Sequence, residues 1–244
     1  MKHRHDGGAV LDEDVGIALL ASGIDLPSAS VHKLALHLSM VLEANATMNL
    51  TSVTDPRVAI WAHIVDSLLG LPEADEAPEG AMADLGSGAG YPGIPLAIAT
   101  GRRVTLVESV KKKAAFLSTV LRRLDLHGDV KPERAEELAI REPRCYALAT
   151  ARAVASLPSL VELAAPLLCE CGSFVAYKGR RLEDEIARGD SVAARVGLKR
   201  SSVREARLLG PEPSARTLIS YSIARSASIK LPRRPGMAQR HPLA

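Results

Sequence analysis

Apolar and polar positions follow one period up to about residue 80 and another beyond it. Residues 1–10 are polar and histidine-rich, and read as irregular chain. Residues 12–22 pair an acidic start with an apolar stripe that Gly23 ends, which predicts a short helix. Pro27 and Ser28 open a longer helix to about residue 44, with Val31, Leu34, Leu38, Val41 and Leu42 on one face. Residues 45–54 are polar and turn-like. Pro56 then begins a third helix to about residue 69, which carries Trp61, His63 and Asp66. The acid-rich stretch 73–80, containing Pro78, reads as a linker, so an N-terminal helical portion is placed at 10–72.

After Gly80 strand-like and helix-like runs alternate. Strands are predicted at 81–85, 103–108, 129–134, 146–151, 172–178, 198–208 and 217–225, with helices at 93–100, 110–125, 135–140, 156–168 and 181–196. Short loops between alternating elements imply a mostly parallel sheet covered on both faces, an α/β, Rossmann-like fold. Only Gly210 to Ser214 separates the last two strands, which should pair as an antiparallel hairpin at one end of the sheet. The Rossmann-like domain is placed at 80–226, and a basic C-terminal tail at 227–244.

Composition narrows the class. Aromatic residues make up 3% of the chain, which argues against an RNA surface built from stacking platforms. The net charge of +3 conceals an asymmetry: residues 1–100 hold 4 Lys/Arg against 13 Asp/Glu, while the remainder holds 27 against 15. A basic half suggests a polyanionic partner. Cys145, Cys169 and Cys171 form no Cys-x-x-Cys pair and read as reduced packing residues. No apolar signal core opens the chain and no apolar run approaches 18 residues, so a soluble, cytoplasmic protein is expected. His3 and His5 lack accompanying ligands, and no metal is expected.

The candidate chemistry centres on Asp84-Leu-Gly-Ser-Gly-Ala-Gly-Tyr-Pro-Gly93, a glycine-rich turn between a short strand and a helix. Such turns let a ligand lie against bare backbone next to unpaired helix amides. A dinucleotide turn wants Gly-x-Gly-x-x-Gly, but the glycines fall at 86, 88 and 90, and Tyr91 stands where the third is due. With Asp84 before the turn and Glu108 ending the next strand, the arrangement is that of S-adenosylmethionine enzymes: Gly86 and Gly88 against the methionine part, Glu108 on the ribose. The fourth strand ends in Arg152-Ala-Val-Ala, without the Asn/Asp-Pro-Pro-aromatic stretch of amino-group methylases and without a cysteine nucleophile. Two alternatives stay open on these residues: a nicotinamide-dependent oxidoreductase on a related sheet, and a non-catalytic RNA-binding module.

Several ordered motifs together carry a resemblance. They are Asn49-Leu-Thr-Ser-Val, His63-Ile-Val-Asp-Ser-Leu, the turn from Asp84 to Leu96, Val107-Glu-Ser, Arg152-Ala-Val-Ala-Ser-Leu, Ala176-Tyr-Lys-Gly and Pro232-Arg-Arg-Pro-Gly. From about residue 49 onward the chain resembles the RsmG/GidB family, bacterial methyltransferases that modify N7 of a guanosine in small-subunit ribosomal RNA. The resemblance implies a seven-stranded methyltransferase sheet with the last two strands antiparallel. It also implies S-adenosyl-L-methionine as cofactor and ribosomal RNA, or an assembling ribosomal subunit, as partner. Carried over by motif, Gly86, Tyr91, the Ala135–Glu136 pair and Arg152 contact the cofactor. Ser87 and Ala89 depart from the commoner Thr and Pro of that loop, and Tyr91 from a smaller apolar residue. N7 has a free lone pair and no proton, so no catalytic base is expected; Arg152 is read as a positioning or cofactor-carboxylate group. RNA contacts are expected from Lys111, which opens a helix with Lys112 and Lys113, from Lys178, Arg180 and Arg181, and from Arg233 and Arg234. His63 and Asp66 share a helix face, and a local hydrogen bond and a role at the site both stay open for them.

Overall fold

The computed structural model describes residues 6–179 and 183–243. Within them seven strands form one sheet in the order β3-β2-β1-β4-β5-β7-β6. The strands are β1 Met82–Leu85, β2 Val104–Val107, β3 Gly128–Lys131, β4 Tyr146–Arg152, β5 Leu168–Lys178, β6 Leu198–Leu208 and β7 Ser214–Ile223. β1 to β5 pair in parallel, while β7 lies antiparallel between β5 and β6. The expected hairpin is therefore present, with β6 as the sheet's outer strand.

Side chains alternate across the sheet as the pleat requires. Met82, Leu148, Val175 and Tyr177 face one apolar cluster, and Ala83, Leu85, Ala149, Phe174 and Ala176 face the other. The first cluster takes in the helices Gly93–Thr100 and Lys111–Arg123 together with the N-terminal helices, through Val15, Leu34, Leu38, Ile64 and Leu68. The second takes in Ala135–Arg141, Leu157–Ala164 and Glu183–Val196. The N-terminal helices thus share a core with the sheet.

Several predicted bounds move. The first helix runs Asp6–Ala21 and so already includes residues 6–10. The second runs Ser28–Met48, through residues expected to turn, and stops where Asn49 adopts φ 49. The third is begun by Asp55, whose carboxylate accepts from the amides of Arg57 and Val58. It proceeds as Pro56–Ala59, a π-helical Ile60–Val65 and Asp66–Leu68. The expected linker is helical over Leu71–Glu76, because Glu73 is a buried partner of Arg204 and not a solvated linker acid. β3 ends at Lys131, three residues earlier than predicted. The tail beyond 226 is not a solvated appendage: Ile229, Leu231 and Leu243 pack on the second cluster, Ala238 is buried in it, and the helical turn Met237–Arg240 lies among them.

Candidate functional site

The strand order reverses between β1 and β4, and ligands of such sheets bind beyond the strand ends at that point. Two cavities open there. One is a cleft with about 420 Å³ of empty space, lined by Gly86, Glu108, Ala135, Glu136, Val154 and Gln239 among others. The other, with about 810 Å³, is lined by Thr51, His63, Asp66, Arg152, Lys178 and Arg216 among others. Consecutive residues at the end of β4 serve both: Ala153 lines the second and Val154 the first. Ala153 holds φ 57, an uncommon conformation for a residue with a side chain, of the kind that collects at functional sites.

The cleft suits an adenosine group. Glu108 is buried, and its two carboxylate oxygens accept from Gly88 N–H at 3.0 Å and Val110 N–H at 2.7 Å. A carboxylate offers about four lone-pair sites, so both oxygens keep capacity for a pair of ribose hydroxyls. Gly86 has φ 71, and a Cβ there would lie 2.6 Å from the Val154 side chain in the cleft. The first amides of the helix Ala135–Arg141 border the same space.

Asp84 and Tyr91, both expected to contact cofactor, are placed differently. Asp84 is fully buried beneath the turn. One of its carboxyl oxygens accepts from Thr150, and the other has no hydrogen-bond partner among the described residues. Gly93, at the start of the next helix, approaches so closely that a Cβ would lie 2.8 Å from that second oxygen. Burial pushes the Asp84 carboxyl up to about 6, against the hydrogen bond from Thr150. Its evident work is to seat the turn. Tyr91 is buried beside the second cavity and not in the cleft. Its ring stacks on His63 at 4.8 Å, meets His37 at 4.6 Å, and lies under the Arg152 guanidinium at 5.4 Å.

The second cavity is organised by Asp66, whose part the sequence left open. Its carboxylate, 1% exposed, accepts from Arg152 at 2.6 Å and from Arg216 at 2.6 and 2.9 Å. Arg152 also donates to the Ala62 carbonyl at 3.0 Å. Arg216 was missed: it stands in β7, 150 residues from Asp66, and no local pattern distinguishes it from other basic strand residues. His63 does not bond Asp66; its Nε2 shares a 2.9 Å hydrogen bond with the Thr51 hydroxyl. Burial, and then the Arg152 charge, lower the His63 imidazole to about 4. His37 is likewise lowered to about 4 by burial, and its Nε2 donates to the Ala89 carbonyl in the glycine turn.

The basic candidates divide. Lys111 is exposed at the start of its helix, while Lys112 donates to the Thr47 carbonyl. Lys178 borders the second cavity but pairs with Glu185 at 2.8 Å. Arg233 holds the buried Glu162 with a two-pronged pair at 2.6 and 2.7 Å, so its expected role as an exposed RNA contact is corrected: a buried carboxylate claims the guanidinium. Arg234 is exposed. Arg180 and Arg181 lie outside the described residues. Among the described residues there is no group of three or more His, Cys, Asp or Glu able to hold a metal, and no helix long and apolar enough to cross a membrane.

A seven-stranded sheet of this order, with a glycine turn and a buried carboxylate at its switch point, is that of an S-adenosyl-L-methionine-dependent methyltransferase. The same fold occurs in M. jannaschii TYW2 solved with AdoMet, at TM-score 0.52 and 15% identity over 66% of this chain and 76% of that one. The profile of the GidB family, rRNA small subunit methyltransferase G, matches residues 30–209, and the chain belongs to that family. It is 44% identical over 183 residues to ribosomal RNA small subunit methyltransferase G of Sorangium cellulosum, covering 72% of this chain and 76% of the relative. It is 35% identical over 237 residues to the protein of that name from Roseiflexus castenholzii, covering 96% and 100%. Membership sets aside both the oxidoreductase and the non-catalytic alternatives.

Proposed function

We propose that the protein transfers a methyl group from S-adenosyl-L-methionine to N7 of a guanosine in 16S ribosomal RNA, in the cytoplasm, by alignment and without a general base. One observation carries the reading: among its described lining residues, the cavity beside the cofactor turn offers no group suited to take a proton. His63, the one imidazole among its described lining residues, is held neutral and hydrogen-bonded to Thr51. Asp66 is committed to two arginines. The three cysteines lie elsewhere, Cys145 before β4 and Cys169 and Cys171 near the start of β5, at the end of the sheet opposite the ligands.

The cofactor supplies an electrophilic methyl on a sulfonium sulfur. Guanine N7 presents an in-plane lone pair and no proton, so the chain's residues have only to place the two partners and exclude water. Glu108 and the glycine turn hold the adenosine side. Asp66 fixes Arg152 in one orientation, with its ring-facing side over Tyr91, and Arg152 positions the cofactor's carboxylate or the RNA beside the end of β4. Alignment of this kind contributes on the order of 7–11 kcal/mol of barrier reduction. The fused N-terminal portion 10–72 contributes His63 and Asp66 to the site of the 80–226 domain. Lys111 and Arg234, exposed cations, are the described side chains best placed to meet phosphates, and Arg180 and Arg181 remain candidates by sequence.

The test is a map of N7-methylguanosine in small-subunit RNA from cells with and without the gene. Loss of one such site on deletion, restored by the wild-type gene and not by a Glu108→Ala copy, is the expected result. An unchanged map would contradict the proposed acceptor.

A further inference from the structure

The C-terminal segment fastens to the rest of the chain at two points beside the cleft. Gly236 N–H donates to the buried carboxylate of Glu136 at 2.7 Å, and Glu136 is itself a lining residue. Arg233 grips Glu162, whose neighbour Leu163 is another lining residue, and also donates to the His241 carbonyl at 2.8 Å. Between these clasps the turn Met237–Arg240 buries Ala238 in the sheet-side core and brings Gln239, otherwise exposed, to the cleft. One oxygen of the Glu136 carboxylate is thus engaged by the tail, and the backbone amides of the Ala135–Glu136 pair border the cleft beside it. The matched family profile stops at residue 209, short of the tail residues 233–241.

We propose that residues 233–239 form a working wall of the cofactor cleft, in which Gln239 is a specificity-determining residue that reads the adenine edge and Arg233 and Gly236 hold it in place. This rests on the cofactor reading of the cleft. A primary amide offers an acceptor and two donors, the complement of an adenine edge that presents an amino donor beside a ring-nitrogen acceptor. Because Gln239 is exposed and its side chain makes no hydrogen bond among the described residues, the fold they form has no need of its amide. Ligand and tail are then linked: whatever the adenosine group gains from Gln239, it returns as protection of the clasp.

The experiment measures S-adenosylhomocysteine binding by calorimetry for wild type, Gln239→Ala, Gln239→Asn and Lys199→Ala, with ligand-free melting and amide exchange over 233–240. Gln239→Ala should weaken binding about two- to tenfold, the effect of one lost hydrogen bond, without lowering the ligand-free melting temperature. Gln239→Asn should recover part of the loss, and Lys199→Ala, an exposed change on β6 away from the tail, should bind as wild type. Ligand should slow exchange of the Gly236 amide in the wild type. An unchanged dissociation constant for Gln239→Ala overturns the proposal whatever the exchange shows. A loss matched by a fall in the ligand-free melting temperature overturns it too, by assigning Gln239 to the fold alone. Wild-type protein that binds no S-adenosylhomocysteine would instead overturn the cofactor reading.

Discussion

Arg152, the last residue of β4, places a guanidinium nitrogen 2.6 Å from a carboxylate oxygen of Asp66, 86 residues earlier in the chain. The contact ties the helical N-terminal portion to the ligand edge of the sheet, and Arg216 completes it from β7. One buried carboxylate therefore fixes two cations at the site's rim.

Asp66→Ala should strand both arginines. Breaking a buried pair costs about 3–5 kcal/mol, and the low end is expected because Arg216 keeps a quarter of its side-chain surface in water. Urea unfolding should show that loss, with weakened RNA or cofactor binding at temperatures where the variant is folded. Unaltered stability and binding would mean that the network is incidental.

Gly86→Val joins a strained φ to a collision. The new side chain meets Val154 and drives it into the cleft. Calorimetry should find cofactor affinity down more than tenfold while circular dichroism keeps its wild-type form. Normal affinity in a folded variant would place the adenosine elsewhere.

The sheet was legible because the strands carry their own alternating or apolar runs and several turns their own glycine or proline, such as Gly101, Gly179 and Gly197. The cleft was legible for the same reason, since the glycine turn and Glu108 are consecutive elements at one strand edge. That Arg233 and Lys178 are paired was not legible from charge alone, because their partners Glu162 and Glu185 are brought to them by tertiary packing. Arg216 and the Asp66 network depend on β7 inserting between β5 and β6, a relation no local window contains. The π-helical stretch Ile60–Val65 had no signal either.

RNA affinity should fall with salt, at a slope of about −0.9 per neutralised phosphate on duplex and roughly −0.7 on single strands. Arg234→Ala should flatten the slope by about one unit or less. Arg233→Lys, which loses the fork that holds Glu162, should instead lower the melting temperature and leave the slope nearly unchanged. The reverse pattern would restore Arg233 as an RNA contact.

Stability should decline as pH falls from 6.5 toward 4. His37 and His63, lowered to about 4, stay neutral in the folded chain while the unfolded chain takes up their protons, so folding loses ground across that window. Asp84, raised to about 6, opposes this below pH 6, where the folded chain binds the extra proton, but it is one group against two. His37→Gln keeps a donor for the Ala89 carbonyl. It should reduce the slope of unfolding free energy by about 1.4 kcal/mol per pH unit between pH 6 and 5. An unchanged slope would contradict burial of a neutral imidazole.

The central claim is methyl transfer without a base, and the single-turnover rate against pH tests it most directly, at saturating S-adenosyl-L-methionine and small-subunit RNA. The lowered His63 is already neutral above pH 6, Asp84 is ionised by about pH 7, and burial raises the Tyr91 phenol so that it keeps its proton. From about pH 7 to 9 no group at the turn or beside Tyr91 is left to titrate through these shifts, and the rate should stay level within about twofold. A rate that climbs tenfold per pH unit and then breaks at an ionisation would show a proton leaving in the transfer step, and would contradict the account.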